Sequence, residues 1–284
     1  MREFRERLHG GIYQTFEIDR VLHDGKTDFQ SVLIFETRAL GRVLVLDGIV
    51  QSTEADEFIY HEMLVHVALM AHGAPRRVLI VGGGDGGALE EVLKHPVEAV
   101  TIVEIDPGVV ELCREHLSSI SKGAFEDPRT KLVIGDGVEF AANFRAEYDV
   151  IIVDSTDPVG AQSVPLFEAP FYESCRVALT AGGVMVAQMG VPFFQGAELA
   201  AASKALGGVF THSGIFAAAV PTYAGGVMAF GWGSEAVDAA NPAMHATAKY
   251  AALGDLRYYT LEVHRAAFAL PKYVQGLAGG PPRS

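Results

Sequence analysis

The chain has 284 residues, 49% of them hydrophobic and 20% charged, with a formal net charge of −13. That length buries the core of one large domain, or of a domain with a smaller appendage. So acidic a balance repels a phosphate backbone and leaves no basic stripe for nucleic acid, whereas a cationic small substrate suits it. Cys113 and Cys175, the only cysteines, stand far apart without a CxxC pattern, which argues against a disulfide framework or a zinc site. The opening MREFRERLHGGIYQTFEIDR has no apolar core ahead of a small-residue cleavage site, so a cytoplasmic location is expected.

From about Thr15 to Thr53 the pattern is that of strands: TFEIDRVLHDG, FQSVLIFET and RVLVLDGIVQST, separated by turn residues at Asp24-Gly25 and Asp47-Gly48. This predicts a small N-terminal β-hairpin domain over 1–54, with a catalytic domain over 55–284. Glu54 to Ala71 places apolar residues at helical spacing behind an acidic first turn, predicting a helix that bridges the two. Strand and helix signals then alternate through RRVLIVGG, ALEEVLKH, AVTIVEID, GVVELCREHL, KLVIGDG and YDVIIVDST. Continuous Val and Ile runs bounded by glycine or aspartate are what parallel strands covered on both faces look like, so the expected fold is α/β and doubly wound.

Two later runs, Val177 to Ala197 and Leu206 to Ser234, carry no charge and are long enough to span a bilayer. Their glycines and prolines, among them Gly182, Gly183, Pro192, Gly207 and Pro221, cut them into strand-length pieces. Buried strands are expected near Gly183–Gln188, Val209–Val220 and Val227–Gly231. The end, GLAGGPPRS, reads as frayed.

In an open parallel sheet a ligand lies outside the carboxyl ends of the strands. Four successive strands deliver acids there: Asp85 in the loop VGGGDGG, Glu104 after AVTIV, Asp136 with Gly137 after KLVI, and Asp154 followed by Asp157 after YDVIIV. Such acids also serve as helix caps. Glu104 stands about twenty residues beyond the glycine loop, where an acid accepts both ribose hydroxyls of a nucleoside. A dinucleotide site wants GxGxxG without a charge facing the pyrophosphate, and Asp85 conflicts with that. A sulfonium nucleoside has no phosphate, so an S-adenosylmethionine-type ligand ranks above NAD.

The segments DEFIYHEM (56 to 63), VLIVGGGDGGALEEV (78 to 92), VEID (103 to 106), IGDG (134 to 137), DVIIVDSTDPVG (149 to 160) and PTY (221 to 223) closely resemble the spermidine synthase family of polyamine aminopropyltransferases. The resemblance extends from about Phe16 to AAFALPKYV (266 to 274). It implies an S-adenosylmethionine-methyltransferase-like Rossmann sheet and transfer of the aminopropyl group of decarboxylated S-adenosylmethionine, a co-substrate, to putrescine, yielding spermidine and methylthioadenosine. No prosthetic group and no metal are implied. The family pattern puts the proton acceptor at Asp154, nucleoside contacts at Gln30, Glu104, Asp136 and Gly137, and amine contacts at Tyr60, His61, Asp85, Ser155, Thr156, Asp157 and Tyr223. It also implies a homodimer or homotetramer, with the N-terminal hairpins a plausible contact.

The residue types suit that chemistry independently. A diamine is doubly protonated near neutral pH, so the attacking nitrogen must lose a proton before displacing a sulfonium, and a carboxylate can accept it. Tyrosine rings can cover methylenes while their hydroxyls bond an ammonium. His61 and His66 in HEMLVH are spaced i,i+5 on different helix faces, unlike the zinc motif HExxH. One departure stands out: after DPVG the chain reads Ala161-Gln-Ser-Val-Pro, where the family has a proline first and a loop about one residue shorter, so a gate over the site differs and its contact does not carry to Pro165. Rival readings are a methyltransferase using intact S-adenosylmethionine, a non-catalytic binding protein, and an aminopropyltransferase that prefers another amine such as cadaverine, agmatine or a longer polyamine.

Overall fold

The computed structural model describes residues 2–157, 163–244 and 246–279, so most of the altered stretch after Asp157, 158–162, lies outside the described residues. The chain opens with an antiparallel hairpin, β1 (Arg2–His9) and β2 (Ile12–Ile18), turning at Gly10-Gly11. The expected start near Thr15 missed β1. Its outward positions Glu3, Arg5 and Arg7 are charged, and its inward face carries Phe4 beside Glu6, a charged residue where alternation calls for an apolar one.

A four-stranded antiparallel sheet follows in sequential order: β3 (Arg20–Lys26), β4 (Ser31–Thr37), β5 (Gly41–Leu46) and β6 (Ile49–Thr53). Asp47-Gly48 turns β5 into β6 with both residues at positive φ, 48° and 80°, the conformation that favours Asp-Gly there. Asp24-Gly25 is not a turn; both residues lie within β3, opposite Leu33 and Val32. The turn sits two residues later, where the Thr27 hydroxyl accepts the N–H groups of Phe29 and Gln30, each at 3.1 Å. A side chain that replaces a backbone partner in this way needs no glycine.

Helix α1 (Glu57–His72) begins behind Asp56, whose carboxylate accepts the backbone N–H (2.8 Å) and hydroxyl (2.6 Å) of Thr222 far along the chain. The helix is buried on every side from Ile59 to Ala71, because the sheet covers one face and the C-terminal segment another. Glu62 accepts the backbone N–H groups of Arg257, Tyr258 and Tyr259 at 2.8, 2.9 and 2.7 Å. His66 meets His95 and Glu91, each at 2.9 Å, away from the face that carries His61.

The doubly wound part runs β7 (Arg77–Gly82), α2 (Gly87–Leu93), β8 (Ala99–Glu104), α3 (Pro107–His116), α4 (Ser118–Ser121), β9 (Thr130–Ile134), α5 (Gly137–Ala142), β10 (Tyr148–Asp154), α6 (Ala169–Ala178), β11 (Leu179–Gln188), α7 (Gly196–Val209), β12 (His212–Ala218), β13 (Met228–Ser234), α8 (Ala246–Ala252), α9 (Leu261–Ala266) and α10 (Lys272–Leu277). Spatial order is β12-β13-β11-β10-β7-β8-β9, with β13 alone antiparallel to its neighbours among the described strands. The fold is therefore the expected doubly wound sheet preceded by β-hairpins. Val78 to Val81 and Val150 to Val153 are buried because one apolar cluster, including α1, covers one face of the sheet and a second, including α6 and α7, covers the other.

Two boundaries differ from expectation. The strand expected over Val209–Val220 starts at His212, since the Ala-rich stretch before it continues α7 to Val209. Gly182 and Gly183 lie inside β11, where the pairing with β10 shifts register between Tyr148 and Val150.

Candidate active site

From β7 the chain crosses to β8 on one side and later returns to β10 on the other, so the ends of β7 and β10 flank the sheet's switch point, where ligands bind in such folds. The glycine loop is stitched to β10 there. Gly82 adopts φ 82°, and a Cβ on it would lie 2.1 Å from the carbonyl oxygen of Asp154. The Gly83 N–H donates to that same oxygen at 2.8 Å. Asp85 accepts the N–H of Gly87, the first residue of the following helix (3.0 Å), and also the Ser52 hydroxyl from β6. The loop thus joins the N-terminal sheet, α2 and the base of the cleft.

Two cavities adjoin at this point. The first, of ≈ 1090 Å³ including its mouth, is lined by Gln30, His61, Asp85, Glu104, Asp136, Gly137 and Asp154. The second, of ≈ 1620 Å³, is lined by Asp157 together with Glu6, Gln188 and Gln195. Tyr60, Ser155, Thr156 and Tyr223 line both. Every residue singled out from the sequence therefore lies on one of two connected spaces.

In the first cavity Glu104 ends β8 and accepts the Asp106 N–H at 3.0 Å; burial pushes its pKa up to about 7 against the pull of backbone N–H groups. Asp136 spends one oxygen capping α5, on Val138 N–H (2.7 Å) and Glu139 N–H (3.3 Å), so helix capping holds for it alongside its place on the cleft. Gly137 has no room for a side chain, since a Cβ would lie 2.3 Å from Val81. Gln30 donates to Asp106 at 2.9 Å, and Asp106 also receives Thr27 at 2.6 Å. Sequence reasoning passed over Asp106, although its place before Pro107 is a helix-cap signal.

Asp154 lines the first cavity, beside Tyr60 and Ser155, which line both. Tyr60 donates to its Oδ1 at 2.8 Å. Its Oδ2 is buried with no hydrogen-bond partner among the described residues. Burial raises its pKa, with the nearby His61 charge and the Tyr60 hydroxyl opposing that shift and Asp85 reinforcing it. Tyr60 and Tyr223 meet edge to face with ring centroids 5.9 Å apart, and Tyr223 donates to the carbonyl of Gln51.

His61 is enclosed by carboxylates. Its Nδ1 lies 2.7 Å from Glu57, and its Nε2 lies 3.6 Å from Asp85 and 3.9 Å from Asp154. Burial by itself disfavours the charged ring, but Asp85, Glu57 and Asp154 outweigh it and push the pKa up to about 10. His61, Asp85 and Asp154 each present one potential ligand atom within 4.8 Å of the others. In its imidazolium form the ring has no lone pair free, so a cation there would have to displace the proton.

The second cavity adds to Asp157 several residues that the sequence did not announce, Glu6, His9, Gln188 and Gln195 among them. Asp157 accepts from Gln195 at 2.8 Å and from Gln188 at 3.5 Å, and burial raises its pKa. Gln188 also donates to the Ser155 carbonyl at 3.0 Å. Glu6 uses Oε1 to accept the Val50 N–H at 2.9 Å, while Oε2 is buried without a partner among the described residues. Burial carries its pKa up to about 7. His9 stacks on Phe194 with centroids 4.4 Å apart, closing one wall. A glutamate on the inward face of a hairpin strand was the one available signal, and it was visible only once the strand was recognised.

An acid-lined cleft at the switch point of this sheet, with no lysine or arginine among its described lining residues, suits a cationic nucleoside better than a phosphate-bearing one. The chain belongs to the spermine/spermidine synthase family: the model of the spermine/spermidine synthase domain matches residues 57–242, and that of the spermidine synthase tetramerisation domain matches residues 4–54. It is 50% identical over 277 residues to polyamine aminopropyltransferase 1 of Pseudomonas aeruginosa, covering 96% of each chain. It is 47% identical over 289 residues to a polyamine aminopropyltransferase of Escherichia coli, covering 99% of this chain and 98% of the other. A spermidine synthase crystallised with the transition-state analogue AdoDATO superposes with TM-score 0.94 at 39% identity, over 98% of this chain and 95% of the other. The spermidine synthase of Thermotoga maritima superposes with TM-score 0.90 at 37% identity, over 98% and 94%.

Proposed function

We propose that the chain transfers the aminopropyl group of decarboxylated S-adenosylmethionine to putrescine, forming spermidine and methylthioadenosine. The observation that carries the residue assignment is the buried Asp154 Oδ2, which has no hydrogen-bond donor among the described residues and lies on the first cavity beside the wall it shares with the second. A buried carboxylate oxygen without a donor is costly unless a ligand supplies one. The attacking ammonium supplies it.

In this reading the donor occupies the first cavity, with Glu104 on the ribose hydroxyls, Gln30, Asp136 and Gly137 around the rest of the nucleoside, and Asp85 facing the aminopropyl ammonium. The diamine lies with its methylenes against Tyr60 and Tyr223, its reacting end at Asp154 beside Ser155 and Thr156, and its far ammonium near Asp157, Glu6 and Gln188. Asp154 takes a proton from the reacting ammonium. The freed lone pair forms the new C–N bond as the C–S bond breaks, and the bonding pair passes to sulfur, turning the sulfonium into a neutral thioether. Holding nitrogen and carbon in line is as much the role of Asp154 as accepting the proton.

The tetramerisation-domain match supports assembly as a homodimer or homotetramer through residues 1–54, with residues 55–284 forming the catalytic domain. Among the described residues no helix is long and apolar enough to cross a membrane; a cytoplasmic enzyme with neither a nucleic-acid nor a membrane partner is proposed. The test is a donor exchange: with putrescine, the decarboxylated donor yields methylthioadenosine and spermidine. Formation of S-adenosylhomocysteine from the intact donor, with no methylthioadenosine from the decarboxylated one, would make the protein a methyltransferase.

A further inference from the structure

The first cavity is lined by four carboxylates, Asp85, Glu104, Asp136 and Asp154, and by no lysine or arginine among the described residues. The one lining side chain able to carry a positive charge is His61. It is almost wholly enclosed, with its ring pressed against the backbone at Gly87, where a Cβ would come within 2.2 Å of the imidazole. Glu57, on the same helix, holds Nδ1 at 2.7 Å and does not line the cavity; Asp85, from the loop after β7, and Asp154, from the end of β10, face Nε2 at 3.6 and 3.9 Å. Behind these stand Glu104 at the end of β8 and the phenols of Tyr60 and Tyr223, none of which brings a positive charge.

We propose that His61 is a resident cation that holds the place of the substrate's charges: it is an imidazolium in the empty cleft and gives up one proton when the cationic donor binds, with Glu57 as the residue that positions it. This inference rests on the proposed donor. An empty cleft with several ionised carboxylates and no counter-charge is unfavourable in a low-dielectric site, and a buried imidazolium between three of them offsets that repulsion. Decarboxylated S-adenosylmethionine brings a sulfonium and an ammonium to the same carboxylates. Like charges in a shared buried site are disfavoured, so the group that can lose its proton loses it. The neutral imidazole then accepts or donates a hydrogen bond without repelling the ligand, and the proton passes to buffer. The neutral product methylthioadenosine brings no such charge, so His61 regains its proton once the reaction has removed the sulfonium and the cationic product, spermidine, has left.

Glu57 acts at one remove. By bonding Nδ1 it fixes the ring plane so that Nε2 faces Asp85 and Asp154, and it stabilises the charged form before substrate arrives. It touches no substrate space and is therefore a positioning residue.

The experiment is calorimetric titration near pH 8 in buffers of different ionisation enthalpy, which reads the number of protons exchanged on binding. The donor should release about one proton, and methylthioadenosine close to none. In His61→Gln the release on donor binding should vanish while binding persists. In Glu57→Gln the release should shrink and become pH-dependent nearer neutrality, because the imidazole has lost its partner and starts partly neutral; a purely structural role for Glu57 would leave the proton count unchanged. Binding of the donor with no buffer dependence in the wild type, or an undiminished release in His61→Gln, would overturn the inference. Failure of the donor to bind at all would instead reject the proposed function. If His61→Gln proves unstable, the wild-type contrast between the charged donor and the neutral product, with the Glu57→Gln count, decides the matter.

Discussion

The two cavities that share Tyr60, Ser155, Thr156 and Tyr223 are built in opposite ways. The first cavity, where we propose the nucleoside binds, is assembled from the ends of consecutive strands, so its acids, Asp85, Glu104 and Asp136, fall at regular places in the chain. The second, proposed for the amine, gathers Glu6 from the first hairpin, Asp157 from beyond β10, Gln188 from the end of β11 and Thr222 from beyond β12. One half follows from the topology of a doubly wound sheet; the other depends on how distant segments are folded over it. A site of the first kind takes its geometry from the sheet, whereas one of the second kind can change its amine preference by altering a hairpin.

The difference can be broken by substitutions that act on one side at a time. Asp154→Asn should lower turnover roughly 10²-fold or more at saturating substrates, since the proposed general base and in-line clamp would both be lost, while affinity for methylthioadenosine stays close to wild type. Glu104→Gln should weaken methylthioadenosine binding by roughly 30-fold, the scale of a charge-assisted hydrogen bond or two, and leave the amine KM little changed. Glu6→Gln should do the reverse, raising the KM for putrescine by roughly tenfold without touching nucleoside affinity. If Glu6→Gln and Glu104→Gln each impaired both ligands equally, the two-sided description would fail.

A smaller effect is expected from pH. Burial raises the pKa of Asp154 and takes that of Glu104 up to about 7 in the ligand-free protein. Both act ionised, so the fraction of competent enzyme falls as pH drops through these raised values. The acid limb of kcat/KM, which reports the free enzyme, should therefore lie above the ordinary carboxylate range near 4. Bound cations favour ionised Asp154, so the limb of kcat should lie lower than that of kcat/KM. Coincident limbs would mean that the substrates do not act on these carboxylates. The smallest change belongs to the wall of the amine cavity: His9→Ala removes the stack on Phe194 and should raise the putrescine KM by about threefold, the scale of one aromatic pair.

The legibility of the site follows the same division. Strand-ending acids were readable because a parallel sheet puts the residue after each Val and Ile run at the ligand edge. Helix capping coexists with that role at Asp136, so the two readings of such an acid are not exclusive. Asp85 was read as a charge for the substrate, but its hydrogen bonds to Ser52 and Gly87 also make it a builder of the loop. Glu6 was invisible because β1 itself was: a strand whose outward face is wholly charged and whose inward face holds a glutamate has no period-two apolar signal. Asp24-Gly25 misled for the opposite reason. It is a turn dipeptide that the register of β3 with β4 keeps extended, while the Thr27 hydroxyl makes the actual turn.

Titration of putrescine into enzyme saturated with methylthioadenosine tests the central claim most directly, because it asks whether the two cavities are separate seats joined along the wall of Tyr60, Ser155, Thr156 and Tyr223. The account predicts that the diamine binds the loaded enzyme with an affinity at least equal to that for the free enzyme, and that Glu6→Gln weakens this step. Loss of putrescine binding in the presence of methylthioadenosine would show that the ligands compete for one space and would contradict it.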